Sequence, residues 1–376
     1  MSVRPFRIDV SEETIDDLRR RLAATRWPDE VEGAGWDYGT NLAELRRLTD
    51  HWRDGFDWPA QQAALNRLDH FRAEVDGLGI HLVHQRGRGD RPLPLLLLHG
   101  WPSSFLQMVK ILPLLTDPAA HGGDPADAFD VVVPSLPGYG FSDRPARKGM
   151  SARAIAGLLS TLMTTELGYP RYGVRASDLG SGVAAALPRR QLVGLHQSGT
   201  NPFVQDVPAD LSPEEQEFLD RLQAWVRQEF AYAQEHTTKP QTLAYGLNDS
   251  PAGLAAWVLE KFRAWSDCGG DLERRFSRDE LLTNLTIYWA TETIGSSMRL
   301  YYESMRDWGQ SEDAEARVPS AVAMFPADMV PTPRSWAERQ GPVDRWTDMS
   351  RGGHFGEWEE PELLAGDLRA FFRPLR

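Results

Sequence analysis

Residues 93–98 read Leu-Pro-Leu-Leu-Leu-Leu and run straight into His99 and Gly100. Six apolar residues cannot cross a bilayer, which needs about 20. They also lack the in-out alternation of a strand with one wet face, so the run predicts a strand buried on both sides. Such a strand needs helices above and below it, and the neighbouring sequence supplies them. A hairpin signal at Asp76-Gly77 joins two strands within HFRAEVDGLGIHLVHQRG. After the apolar run come a helix over Ser103–Leu115, a strand and loop in FDVVVPSLPGYGFSD, and a helix over Ser151–Leu167. RYGVRAS then reads as a strand, followed by a helix from about Gly180 and the strand LVGLHQSG. Strands alternating with helices predict an α/β fold with a mostly parallel central sheet flanked by helices.

The start of the chain and its middle break that rhythm. Ser11 is placed as an N-cap, with Glu12 and Glu13 in the first turn and Ile15, Leu18 and Leu22 as one apolar stripe. Trp27-Pro28 is the expected stop. A second helix over Leu42, Leu45, Leu48 and Trp52 is expected to end near Trp58-Pro59. From about 205 to 305 the pattern is helical throughout and rich in large aromatics. VPSAVAMFPAD and RWTDMS then restore strands before a last helix, PELLAGDLRAFF. The expected division is an N-terminal extension (1–69), a first core part (70–204), a helical cap (205–305) and a second core part (306–376). Ligands bind at the carboxyl ends of strands in open parallel sheets, so a cap there would roof the site.

Composition narrows the classes of function. At 376 residues the chain can bury a large core, and Cys268 as its one cysteine excludes an intramolecular disulfide and any multi-cysteine zinc module. The formal charge of −13 argues against nucleic acid or an anionic membrane as partner. The opening MSVRPFRIDVSEETIDD lacks the basic flank and apolar core of a signal peptide, so a cytoplasmic location is expected.

Chemistry concentrates at Arg175-Ala176-Ser177-Asp178-Leu179-Gly180, a strand-to-helix junction. A nucleophile elbow is a strained turn that needs small residues two before and two after the nucleophile. Ala176 and Gly180 meet that demand for Asp178, whereas Arg175 and Leu179 fail it for Ser177. Taken alone, Asp178 is more simply a helix N-cap. Three other placements count against the simpler role. His99-Gly100-Trp101-Pro102 follows the buried strand and can aim the backbone N–H of Trp101 beside that of Leu179, a two-donor oxyanion hole. Asp328 follows the strand VPSAVAMFP, and His354 lies in Arg351-Gly352-Gly353-His354 ahead of the final helix. The chain order Asp178, Asp328, His354 is the nucleophile–acid–histidine order of α/β-hydrolases. His81 and His84 lie on opposite faces of a strand and cannot share a metal. His51, His70, His121, His196 and His236 show no convergent partner. No metal and no organic cofactor is implied.

A carboxylate is ionised at neutral pH without a base, so it can displace a leaving group at an sp³ carbon and become an ester. Water activated by His354, with Asp328 orienting it, would then attack that ester. Halide and epoxide both suit the scheme. Halide wants indole donors, and the epoxide oxygen wants tyrosine.

The chain resembles the microsomal-type epoxide hydrolases, α/β-hydrolases with an N-terminal extension. The likeness runs through LRRRLAATRWPDE, HGWPSSF, LPGYGFSD, TTKPQTLAYGLNDSPAGLAAWVLEKF, NLTIYWATETIGSSMRLYYE, FPAD and RGGHFGEWEEPELLAGDLRAFF. It implies Asp178 as nucleophile, Asp328 and His354 as the water-activating pair, and two cap tyrosines as donors to the epoxide oxygen. Those fall on Tyr232 and on Tyr301, which keeps the Arg-x-Tyr spacing after Arg299; Tyr302 is the neighbouring alternative. One departure concerns the elbow: the family pattern Gly-Gly-Asp-Trp-Gly is Ala-Ser-Asp-Leu-Gly here, so Leu179 supplies a backbone N–H but no indole. The expected activity is hydrolysis of a bulky, apolar, aryl-bearing epoxide to a vicinal diol. The alternatives are a haloalkane dehalogenase-type hydrolase, or a retired hydrolase fold serving as a binding module. The resemblance carries no membrane anchor into this chain and allows a homodimer.

Overall fold

The computed structural model describes residues 3–203, 207, 209–307 and 316–376. Nine strands form one sheet among them: β1 Arg4–Pro5, β2 His70–Val75, β3 Leu78–Gln85, β4 Leu93–Leu98, β5 Phe129–Pro134, β6 Tyr172–Ala176, β7 Leu192–Ser198, β8 Ser320–Met324 and β9 Arg345–Asp348. Their order is β1-β2-β3-β5-β4-β6-β7-β8-β9. The first three pairings in that order are antiparallel, and every pairing from β5 onward is parallel. β4 is buried on both faces, as its unbroken apolar run requires, with Leu95 to Leu98 fully excluded from solvent. The β2–β3 hairpin turns at Asp76 and Gly77, both at positive φ (50° and 76°), the geometry of the primed turns that suit twisted strands.

The helices between β1 and β2 are α1 Glu12–Ala23, α2 Leu42–Asp54 and α3 Trp58–Leu65; α4 Leu112–Thr116, α5 Ala152–Thr161 and α6 Leu179–Ala186 alternate with the later strands. Between β7 and β8 lie α7 Pro213–Gln228, α8 Ala231–Thr238, α9 Pro240–Asp249, α10 Pro251–Trp265, α11 Arg278–Thr291 and α12 Ile294–Ser304. α13 Arg334–Gln340 follows β8, and α14 Gly356–Glu359 and α15 Pro361–Phe372 follow β9. The expected boundary between residues 204 and 205 lies outside the described residues.

Three local expectations need correction. Pro59 opens a helix instead of ending one. It occupies the first turn of α3, where a missing N–H costs nothing, and Asp57 caps that turn by accepting the N–H of Ala60 at 3.0 Å. α1 ends at Ala23, before Trp27-Pro28 is reached. Ser103–Leu115 is not one helix but a 3₁₀ turn at Phe105–Met108 followed by α4. Pro113 has no N–H and its ring crowds the carbonyl four residues back, so helix restarts there.

α1 packs with its predicted stripe inward: Ile15, Leu18 and Leu22 are buried and Ser11 accepts the N–H of Thr14. α2 reaches across to α11, where the Trp52 indole N–H donates to Thr286 Oγ1 at 2.9 Å. The N-terminal helices thus pack on the helices inserted after β7.

Candidate active site

The sheet order sets the site. β5 lies on one side of β4 and β6 on the other, so the loops leaving β4 and β6 start side by side where the order reverses, a recurrent ligand position. Leu98 is in register with Ala176, which brings His99-Gly100-Trp101 beside Ser177-Asp178-Leu179. Asp178 adopts φ 51° and ψ −131°, a conformation that side chains other than glycine rarely take. It precedes α6, yet its side chain makes no capping hydrogen bond. Oδ1 instead accepts the backbone N–H of Trp101 at 2.8 Å. The simple N-cap role is therefore not the one Asp178 plays.

Glycine is required on both sides of this carboxylate. A Cβ on Gly100 would lie 2.2 Å from Asp178 Oδ1, and one on Gly180 would lie 2.6 Å from the carbonyl oxygen of Leu98. Ala176 is fully buried. Leu179 is the first residue of α6, so its N–H has no acceptor inside the helix and belongs to the positive end of the helix dipole.

Asp328 and His354 come from neighbouring strand ends. A parallel bridge pairs Ala327 with Gly353, which sets the next residues side by side. His354 Nδ1 is 2.8 Å from Asp328 Oδ1, and its Nε2 is 3.4 Å from Asp178 Oδ2. The backbone N–H of His354 donates to the Trp265 carbonyl of α10 at 2.8 Å, tying this loop to the inserted helices. Burial alone would lower the pKa of His354. The charge of Asp328, with hydrogen bonds and charge from Asp178, outweighs it and raises the pKa to about 10. Burial pushes Asp328 upward, but the facing imidazolium and the N–H of Met329 hold it below the ordinary aspartate value.

Tyr232 on α8 and Tyr301 on α12 are both buried and meet edge-on at 6.1 Å beside Trp101. The Trp101 indole stacks on Tyr232 at 5.4 Å and meets Tyr301 edge-on at 6.3 Å. The Tyr301 hydroxyl has no well-formed hydrogen bond among the described residues, although the two phenols are close enough to perturb each other's ionisation. Burial, with the charge of Asp178, raises both phenol pKa values well above 10. Tyr302 lies apart, its ring under the Arg306 guanidinium.

Several histidines have partners that spacing did not reveal. His70 Nδ1 is 2.9 Å from His81 Nε2, and His196 Nε2 is 2.9 Å from Asp367. His236 is packed against Trp101, Tyr232 and Tyr301. Its position four residues after Tyr232 on one helix was the available signal, because such residues share a face. Among the described residues no cluster of three or more His, Cys, Asp or Glu could hold a metal, and no helix is long and apolar enough to cross a membrane.

Comparison with known proteins identifies the fold and the family. The family described as "Epoxide hydrolase N terminus" matches residues 3–108, and the α/β-hydrolase fold family matches residues 94–283. Epoxide hydrolase 1 of Sus scrofa is 37% identical, with 98% of this chain and 88% of that protein covered. The juvenile hormone epoxide hydrolase structure from Bombyx mori superposes with a TM-score of 0.86 at 31% identity, covering 100% of this chain and 94% of that one. The Aspergillus niger epoxide hydrolase superposes at 0.88 and 29% identity, covering 100% and 97%. A shared extension, fold and near full-length identity place the chain in the epoxide hydrolase family of α/β-hydrolase enzymes.

Proposed function

We propose that this enzyme opens an epoxide through an ester on Asp178 and releases a vicinal diol. The observation that carries the reading is the Asp178 carboxylate itself. Oδ1 is held by the Trp101 N–H, while Oδ2 is free of the backbone and faces His354. Oδ2 attacks an epoxide carbon and the C–O bond breaks. The departing oxygen takes a proton from Tyr232 or Tyr301, the only step that needs an acidic hydroxyl. Esterification then removes the negative charge of Asp178, one of the two charges that keep His354 protonated. His354 can pass its proton through solvent to the tyrosinate and then act as base toward water, with Asp328 stabilising the imidazolium that re-forms. Water adds to the Asp178 carbonyl carbon, and the oxyanion develops on Oδ1, which already accepts the Trp101 N–H, with the Leu179 N–H as its second donor in this scheme. Collapse releases the diol and restores the carboxylate. The imidazolium regained from water and the reprotonated phenol restore the starting state.

We also propose that the helices within 205–305 act as the cap over this edge, with the N-terminal 1–69 bracing them. The aromatic surroundings of Asp178 favour a bulky apolar substrate. The acidic charge and the buried, unpaired Cys268 favour the cytoplasm.

The test is intact-protein mass spectrometry of His354→Gln after incubation with styrene oxide, with Asp178→Asn as control. A mass gain of one epoxide that maps to Asp178 and is absent from the control supports the scheme. Diol formation by His354→Gln at the wild-type rate refutes it. Bromide release from 1-bromohexane, lost in Asp178→Asn, without any diol from epoxides would favour the dehalogenase chemistry.

A further inference from the structure

His236 is completely buried on α8, one turn after Tyr232. Its Nε2 lies 3.1 Å from the indole nitrogen of Trp257, on α10. An indole N–H can only donate, so Nε2 must present its lone pair. Burial, helped by the charge of Lys261, lowers the pKa to about 3, so the ring is neutral at any working pH. A neutral imidazole accepting at Nε2 carries its proton on Nδ1. Trp257 therefore fixes the tautomer, and His236 Nδ1–H is a donor with no hydrogen-bond partner among the described residues.

Its surroundings are the proposed reaction site. The His236 ring meets Trp101 edge-on at 4.7 Å and Tyr301 at 5.0 Å between centroids. Three more buried groups of this cluster have no partner among the described residues: Trp101 Nε1, Trp265 Nε1 and the Tyr301 hydroxyl. All of them can donate, and the indoles can do nothing else. A buried donor left unmet is destabilising, and that cost is recovered when a bound molecule brings an acceptor. An epoxide oxygen that accepts hydrogen bonds from Tyr232 and Tyr301 uses the phenols and leaves His236 unmet.

Resting on the epoxide hydrolase reading, we propose that His236 is a specificity-determining residue whose Nδ1–H hydrogen-bonds a second oxygen of the substrate, an ether or carbonyl oxygen within one or two bonds of the epoxide ring. The substrate class is then an oxygen-bearing epoxide, such as a glycidyl ether or an epoxy ester or ketone, in preference to a pure hydrocarbon epoxide.

The experiment compares kcat/KM for phenyl glycidyl ether and 4-phenyl-1,2-epoxybutane, in which CH₂ replaces the ether oxygen. Taking the ratio for each enzyme removes the intrinsic difference in reactivity. The ether-to-carbon ratio should fall about tenfold or more in His236→Phe. It should recover in His236→Gln, whose amide can accept from Trp257 and still donate. If His236→Phe fails to fold, Trp257→Phe serves, because it releases the tautomer and should lower the same ratio about threefold or more. A ratio within twofold of wild type in His236→Phe, or in Trp257→Phe where only that variant folds, overturns the proposal while leaving the epoxide reading intact. So does a His236→Gln that folds but shows no recovery. If the wild type hydrolyses neither compound nor any of a wider epoxide panel, the epoxide reading fails and takes this inference with it.

Discussion

Beneath the elbow, Arg175 and Glu357 form an ion pair from which solvent is completely excluded. Arg175 lies on β6 three residues before Asp178, and Glu357 lies on α14 three residues after His354. The guanidinium gives Glu357 Oε1 contacts of 2.9 Å from Nε and 2.8 Å from Nη2. It also reaches His196 Nδ1 at 3.2 Å and the Ser198 hydroxyl. Glu357 Oε2 accepts from Gln107 at 2.6 Å. Arg175→Met keeps the length of the side chain but strips Glu357 Oε1, His196 and Ser198 of their partner at once. Breaking a buried pair on one side costs about 3–5 kcal/mol, because an uncompensated charge is left in a dry interior. Removing both charges, in Arg175→Met with Glu357→Leu, should restore at least about 2 kcal/mol, since a buried pair and an apolar replacement are close in free energy. The assay is urea unfolding at pH 7 followed by tryptophan fluorescence, with unchanged m-values required for all variants. A coupling energy of about 2 kcal/mol or more in the double-mutant cycle is the expected result. An Arg175→Met loss under about 1 kcal/mol, or strictly additive losses in the double variant, would refute the reasoning that this pair is locked by its lack of solvent.

Three shorter predictions follow from the same geometry. Gly100→Ala should lower kcat/KM by about a hundredfold or more by pushing Asp178 off the Trp101 N–H, since a misplaced nucleophile loses most of its orientation advantage; a loss under threefold in steady-state assays would contradict the 2.2 Å approach. Because the pKa of His354 is raised in the folded state, its contribution to stability is fully present below about pH 6.5 and is lost as pH rises toward about 10. Urea titrations from pH 6 to 10 should therefore show wild type losing stability relative to His354→Gln, and a constant difference would exclude the raised value. Trp52→Phe removes the bond to Thr286 between α2 and α11 and should cost about 1–2 kcal/mol, read as a lower urea midpoint.

Much of this architecture is legible in local sequence because local physics dictates it. Asp76-Gly77 turns the hairpin since few residues tolerate positive φ, and the apolar run of β4 leaves its strand no wet face. Ser11 caps α1 because its hydroxyl reaches an N–H of the first turn. At the elbow, the demand for small residues at 176 and 180 separates Asp178 from Ser177 before any coordinate is known. Where local reading failed, a competing local rule was at work. Pro59 reads as a stop but suits a first turn equally well, and Pro113 breaks a stretch that is otherwise helical in pattern.

The sequence by itself determined which residues could do the chemistry: an elbow carboxylate, a loop acid and a late histidine, in that order along the chain. These signals are short-range, because backbone sterics and strand or helix period act over a few residues. Tertiary structure alone decided which groups meet. The Ala327–Gly353 bridge sets Asp328 beside His354. The register of β4 on β6 delivers the Trp101 N–H to Asp178. Packing of α8 and α10 gives His236 its tautomer, and packing of β6 on α14 buries Arg175 against Glu357. These pairs are 26, 77, 21 and 182 residues apart in the chain. Neither partner alone carries a mark of the other, so the pairing exists only once the core has closed around it.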